Sequence, residues 1–284
     1  MSQHKIIDMI KRSGYLPEIP KDFGEILKML IEPSEYNIDQ CVEKFSQFPQ
    51  LETILIQIIN CNSNFNREVN NIKDAIIYLG AKTAKAVAIA YVTRLLLANN
   101  KGRSQIFDNN KYWKHCVGTS IASYMIAAKT KLCDKDKMFT YGLIHDIGVT
   151  VLDMCLPEHL DKIYQLHLKG THQIVAEKIV LDGITHAEIG MWLCKEWNLP
   201  DEIADVVGFH HSPLLAENHQ DEVKIMHLGD SISTSYYEKL LGNPSTFIFA
   251  DKILKSLNVD KEFVKHIIKT LPIEVDKLNQ HIIL

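Results

Sequence analysis

Residues 141–150 read YGLIHDIGVT, an apolar run interrupted in its middle by an adjacent imidazole and carboxylate, His145 and Asp146. Burying such groups is costly unless each is paired, so the stretch raises two questions: what encloses it, and what its polar groups meet. The flanking segments answer the first. Upstream, KYWKHCVGTSIASYMIAAKTK (111–131) reads as a long helix, and KDKMFTYGLIHDIG (135–148) follows it. Downstream, a helix from about Pro157 to Leu168 ends at Gly170, and THQIVAEKIV comes next. THAEIGMWLCKEWN (185–198) opens with a capping box of Thr185 and Glu188, which sets that helix start and puts His186 in its first turn. PDEIADVVGFHH (200–211) begins with Pro, Asp and Glu, a favourable first turn. VKIMHLGDSISTSYYEKLL (223–241) is a further helix, and two more close the chain.

The first hundred residues carry the same periodicity. DFGEILKMLI (22–31) places Phe23, Ile26, Leu27 and Leu30 on one face and stops at Pro33. NIDQCVEKFSQFP (37–49) repeats the pattern with Ile38, Cys41, Val42 and Phe45. QLETILIQIINC (50–61) has a strand-like composition, but its length and lack of turn signals favour a helix. IKDAIIYLG ends at Gly80, a helix C-cap position, and AKTAKAVAIAYVTRLLLANN (81–100) reads as a long buried helix. No strand pairing or internal repeat emerges. The fold class is therefore all-α, with two packed helical subdomains. The polar stretch KGRSQIFDNN (101–110) marks a boundary, read as a hinge between packed halves rather than a free linker. The expected division is an N-terminal helical subdomain over 1–108, a helical core over 109–241, and a C-terminal helical extension over 242–284 packed on the core.

Composition narrows the function classes. The chain has 284 residues, 46% apolar and 23% charged, with a net charge of −4, ordinary values for a globular protein. No basic run suggests a nucleic-acid footprint. Lys111, Lys114, Lys129 and Lys131 could line one helix face, but such a face is usually only solvated, so nucleic acid is not an expected partner. Six scattered cysteines form no C-x-x-C pair, and the polar, amphipathic start MSQHKIIDMIKRSG does not read as a secretory leader. The apolar stretch 86–98 is broken by Thr93 and Arg94 and is too short to span a bilayer. A cytoplasmic protein without membrane insertion is expected.

The second question concerns a recurring pattern. His115, His145, Asp146, His186, His210, His211 and Asp230 each fall where a helix would otherwise present an apolar or small residue. Facing a common centre, they would form a nitrogen and oxygen shell suited to iron, manganese or zinc, and on its oxygen side to magnesium. One or two such divalent metals could activate a water and clamp a phosphate. Each residue also has a local explanation. His115 could be a satisfied boundary histidine, and His186 a solvated first-turn residue. His210 or His211 could be an imidazolium favoured by a helix C-terminus. Asp230 could pair with His227 one turn earlier. Only the ordered set carries information.

That set, together with LPEIPKDFGEILKMLIEPSEYNIDQCVEKFSQFPQLETILIQIINC (16–61) and VNNIKDAIIYLGAKTAKAVAIA (69–90), resembles the HDOD family, the HD-related output domain. YWKHCVGTS, TYGLIHDIGVTVLD, THAEIGMWLCKEWNLPDEIADVVGFHHSP and HLGDSIS are similar to the HDOD core and to the wider HD superfamily of metal-dependent phosphohydrolases. The likeness spans roughly residues 16 to 235. It implies an all-helical fold whose core is an HD-like bundle, used in bacterial signalling and often without demonstrated catalysis. By resemblance, His115, His145, Asp146 and Asp230 fall on first-metal positions. His186, His210 and His211 fall on second-metal positions of the HD-GYP phosphodiesterases. Where those enzymes carry a lysine after HDIG, this chain has Val149, which cannot offset phosphate charge, and the G-Y-P signature is absent. The resemblance thus implies a signalling protein that acts through a protein partner or a small-molecule or nucleotide ligand, holds a metal, and has little or no hydrolase activity. The alternative is a metal-dependent phosphohydrolase on a nucleotide or cyclic dinucleotide, with His145 and Asp146 the candidate catalytic residues.

Overall fold

The computed structural model describes residues 2–16, 37–60, 69–79, 84, 104–240 and 251–282. The helices expected over 22–31 and 81–100, and the cap at Gly80, lie outside the described residues, apart from Ala84. Within the described residues the regular structure is entirely α-helical. No single helix there is long and apolar enough to cross a membrane.

Helix α1 (Ser2–Arg12) buries Ile6 and Ile10. Three short helices follow: α2 (Ile38–Phe45), α3 (Pro49–Asn60) and α4 (Ile72–Leu79). They pack on one another, and two of them have a capped start. For α2 the cap is a reciprocal capping box: Gln40 N–H donates to Asn37 Oδ1 at 3.0 Å, and Asn37 N–H to Gln40 Oε1 at 2.7 Å. Asn71 plays the part for α4, its Oδ1 accepting from Asp74 N–H at 2.8 Å. The ambiguous stretch from Gln50 is helical through Asn60, its length outweighing its isoleucine content.

The polar segment before the core is pinned rather than loose. Asp161 accepts from Ser104 Oγ at 2.6 Å and from Gln105 N–H at 3.1 Å, and Asp153 accepts Ser104 N–H at 3.0 Å. Asp108 then caps α5 (Asn109–Thr130), accepting from the amides of Asn110 and Lys111. Asp134 caps α6 (Lys135–Ile144) in the same way. The stretch 135–148 is not continuous helix. It breaks at His145 and Asp146, and α7 (Ile147–Cys155) restarts beyond them, buried along its whole length. The remaining elements are α8 (Pro157–Leu168), α9 (Gln173–Val180), α10 (His186–Glu196), α11 (Asp201–Phe209), α12 (Gln220–Leu240), α13 (Asp251–Ser256) and α14 (Lys261–Ile282). The capping box of α10 forms as its sequence predicts, Thr185 N–H donating to Glu188 Oε2 at 2.8 Å and Glu188 N–H to Thr185 Oγ1 at 3.4 Å.

Helix α5 is the spine, packed against α6, α12 and α14. The second layer is α7 against α10 and α10 against α11, with α1 and α8 resting on α7. Glycines set the closest approaches. A Cβ on Gly229 of α12 would strike Ser123 of α5, and one on Gly142 of α6 would lie 2.5 Å from the Ser120 backbone. A Cβ on Gly148 of α7 would drive into the carbonyl oxygen of His186. Because Gly148 lets α10 close on α7, Asp146 and His186, both at helix starts, are brought together. Helix propensity alone favours Ala over Gly by about 1 kcal/mol. Gly148→Ala is nevertheless expected to destabilise the protein by about 1–3 kcal/mol, since backbone cannot yield as a side chain can. Urea unfolding midpoints of the two proteins check this.

Candidate metal centre

The break between α6 and α7 makes His145 the last residue of one helix end and Asp146 the first of the next, so both side chains turn into the bundle. His145 is fully buried and anchored, its Nδ1–H donating to Gly142 O at 2.8 Å. Asp146 lies at the middle of the cluster. Its Oδ2 is 3.3 Å from His115 Nε2 and 3.5 Å from His145 Nε2. Its Oδ1 is 3.1 Å from His186 Nε2 and 3.3 Å from His210 Nε2. Asp230, from α12, adds Oδ1 at 3.3 Å from His115 Nε2 and 3.8 Å from His145 Nε2, and Oδ2 at 3.6 Å from His211 Nδ1. His211 Nε2 lies 3.1 Å from His186 Nε2. All seven residues singled out in the sequence therefore converge, drawn from α5, the α6–α7 break, α10, the end of α11 and α12.

Three of the local explanations do not describe this geometry; His186 is fully buried, not a solvated first-turn residue. His227 does not pair with Asp230; its Nδ1 donates to the His210 carbonyl at 2.7 Å and leaves the carboxylate to the cluster. His210 and His211 are not helix-end cations. Burial pushes His210 down despite its contact with Asp146, and burial with neighbouring His210 pushes His211 well below the ordinary imidazole value.

Proton positions test whether a cation fits. His145 and His210 both spend their Nδ1 protons on backbone carbonyls, His210 on Val207 O at 2.7 Å. A neutral ring anchored that way carries a lone pair on Nε2. For His210 that lone pair faces the Oδ1 lone pairs of Asp146 at 3.3 Å, and both atoms are buried without a hydrogen-bond partner. Two acceptors aimed at each other away from water call for a cation between them. The spacings agree: bonds of about 2.1 Å put neighbouring donors about 3.0 Å apart around an octahedral ion and about 3.4 Å around a tetrahedral one. Two groups have the required closeness, His115, His145 and Asp146 on one side, and Asp146, His186, His210 and His211 on the other. The centre opens toward solvent beside His115 and His211, whose side chains are 15% and 27% exposed.

Sequence reasoning passed over the residues behind this shell. Glu177 of α9 is buried and accepts from His186 Nδ1 at 2.7 Å and from His186 N–H at 2.9 Å. Thr234 donates to Asp230 Oδ1 at 3.1 Å. A buried glutamate beside a buried histidine leaves no periodic signature; the only hint was an acid on the inward face of a short amphipathic helix.

The fold and centre describe an all-α bundle built around a shared carboxylate and five imidazoles. The HDOD domain matches residues 16–213, and the chain belongs to the HDOD family. A Treponema pallidum protein, itself uncharacterised, is 22% identical over 202 residues, which are 69% of this chain and 38% of that relative's length. Among solved structures, an HDOD domain protein of unknown function from Geobacter sulfurreducens is 20% identical, with a TM-score of 0.77 and 99% of each chain covered. A Shewanella amazonensis protein provisionally described as a phosphohydrolase is 19% identical, with a TM-score of 0.72 over 96% of this chain and 97% of its own. A Marinobacter aquaeolei protein provisionally described as a signal transduction protein is 18% identical, with a TM-score of 0.79 over 99% of this chain and 65% of its own. At these identities the likeness is one of fold.

In the metal-free protein, burial opposes charge on Asp146 and Asp230. For Asp146 the rings of His145, His115 and His186 overcome it, and for Asp230 those of His115, His145 and His211, so both carboxyls stay well below the usual range. Burial likewise works against a charged His115, but hydrogen bonds to Asp146 and Asp230 prevail and raise it from 6.5 to about 10. That interaction supports the metal-free fold fully below pH 6.5 and is lost as pH rises through about 10. A cation must displace this proton. Divalent affinity is therefore expected to climb with pH up to about 10, by about tenfold per unit for each proton released. Calorimetric Mn²⁺ titrations between pH 6.5 and about 8.5, repeated in buffers of different ionisation enthalpy, check both slope and proton count.

Proposed function

We propose that this chain is a bacterial cytoplasmic regulatory HDOD protein whose His/Asp centre holds one or two divalent metals, and which acts by binding a protein partner or a small ligand rather than by turnover. The observation that carries the metal is the facing pair Asp146 Oδ1 and His210 Nε2, buried 3.3 Å apart, neither with a hydrogen-bond partner. Asp146, His115, His145 and Asp230 would hold one ion, and Asp146, His186, His210 and His211 the other. The mixed nitrogen and oxygen donors favour iron, manganese or zinc over magnesium. Against turnover stands residue 149, a buried valine one turn beyond the centre, which supplies neither charge nor a donor for a phosphate.

A second reading, a metal-dependent phosphohydrolase on a nucleotide or cyclic dinucleotide, is favoured by one feature: the two half-sites share a single carboxylate, Asp146. Divalent ions there would supply water activation and charge neutralisation at phosphorus. The protein's own share would be to orient the pair through Asp146, to hold the rings of His145 and His210 by their Nδ1 anchors, and to screen the centre from bulk water.

Elemental analysis of protein purified without chelator or affinity metal separates these outcomes when paired with His145→Ala. Wild-type protein is expected to retain one to two equivalents of a first-row metal, and His145→Ala to lose the ion on its side. In a panel of nucleotide and cyclic dinucleotide phosphodiesters, turnover in both proteins is expected at background. Robust cleavage that disappears in His145→Ala would overturn the regulatory reading in favour of the hydrolase.

A further inference from the structure

Glu177 has no role in the shell of donors, and α9 contributes nothing else to the centre. Yet its carboxylate is 2% exposed, and both its oxygens lie 2.7 Å from His186 Nδ1. Gln173 Nε2 donates to Oε1 at 3.0 Å, and the backbone N–H of His186 to Oε2 at 2.9 Å, so the buried group is fully engaged. The other two anchored rings differ in kind. His145 and His210 rest their Nδ1 protons on the neutral carbonyls of Gly142 and Val207. Among these three, His186 alone is backed by a full negative charge.

The half-sites are otherwise unequal. On the first side two carboxylates, Asp146 and Asp230, approach His115 and His145. On the second, Asp146 Oδ1 faces His186 and His210, while Asp230 reaches His211 with Oδ2 at the longer distance of 3.6 Å. We propose that Glu177 is the positioning residue of the second half-site: it holds the Nδ1 proton of His186, aims Nε2 toward Asp146 Oδ1 3.1 Å away, and through the ring adds negative charge to this side. A carboxylate behind a ligating imidazole fixes its tautomer and strengthens it as a donor. The inference rests on the metal-binding reading above and assigns the second ion's hold to a residue outside its shell.

Glu177 also anchors the start of α10, so the test must separate positioning from structure. Glu177→Gln keeps one oxygen for the His186 N–H and removes the charge. That oxygen also lies 2.7 Å from Nδ1, so the ring can keep its tautomer while losing the negative charge that strengthens it as a donor. Mn²⁺ titration of the full chain by calorimetry is expected to give two binding phases in wild type. In Glu177→Gln one phase weakens about 10–100-fold, the same phase that His211→Ala removes, while the phase removed by His115→Ala is unchanged. The metal-free unfolding midpoint of Glu177→Gln is expected to stay near wild type. Glu177→Asp keeps the charge at longer range and is expected to weaken the same phase less; it carries the comparison if the glutamine variant does not fold. Unchanged affinity for both ions, or equal weakening of both, overturns the positioning role. Absence of any Mn²⁺ binding in wild type overturns the metal reading itself.

Discussion

One carboxylate sets the terms for the rest of the centre. Asp146 presents Oδ2 to His115 and His145 and Oδ1 to His186 and His210, all within 3.5 Å. A buried carboxylate that stays ionised needs positive charge on both faces. The surrounding backbone fixes the orientation of two of the facing rings, drawing the Nδ1 protons of His145 and His210 onto carbonyl oxygens so that each Nε2 is turned to the carboxylate. A divalent ion would satisfy carboxylate and ring together where His210 Nε2 and Asp146 Oδ1 lack hydrogen-bond partners. The break between α6 and α7 follows from the same demand: a continuous helix through 145 and 146 would turn adjacent side chains about 100° apart, whereas two helix ends let both enter the centre.

Packing supports this with little tolerance. Gly148 admits the His186 backbone against α7, and Gly142 and Gly229 bring α6 and α12 against α5. Since α5 carries His115 and α12 carries Asp230, the small residues that look like gaps in the hydrophobic pattern fix the distances in the centre. Ser233 ties the same two helices, donating to the His115 carbonyl at 2.9 Å.

Much of this was legible beforehand, for identifiable reasons. Helix class followed from apolar periodicity, and the start of α10 from Thr185 and Glu188, because capping is chemistry between residues three apart. The seven converging residues were legible as a set, since polar groups on otherwise apolar faces need partners. What escaped was chemistry between segments. Glu177 meets His186 across a turn of nine residues; Asp153 and Asp161 reach back to Ser104 across about fifty. His227 looked like a partner for Asp230 because helical spacing permits it, but the His210 carbonyl at the end of α11 is the acceptor it reaches. The split at His145 was hidden because both flanking runs are apolar and neither proline nor a turn signal marks it.

The central claim is that cations belong on either side of the Asp146 carboxylate. The most direct measurement is an anomalous difference map from crystals of the full chain grown with Mn²⁺ and without chelator. Strong peaks are expected flanking that carboxylate, one between Oδ1 and His210 Nε2 and one between Oδ2 and the His115–His145 pair. A map without anomalous density there, in crystals saturated with the ion, would contradict the account and leave the imidazoles and carboxylates as a purely proton-mediated network.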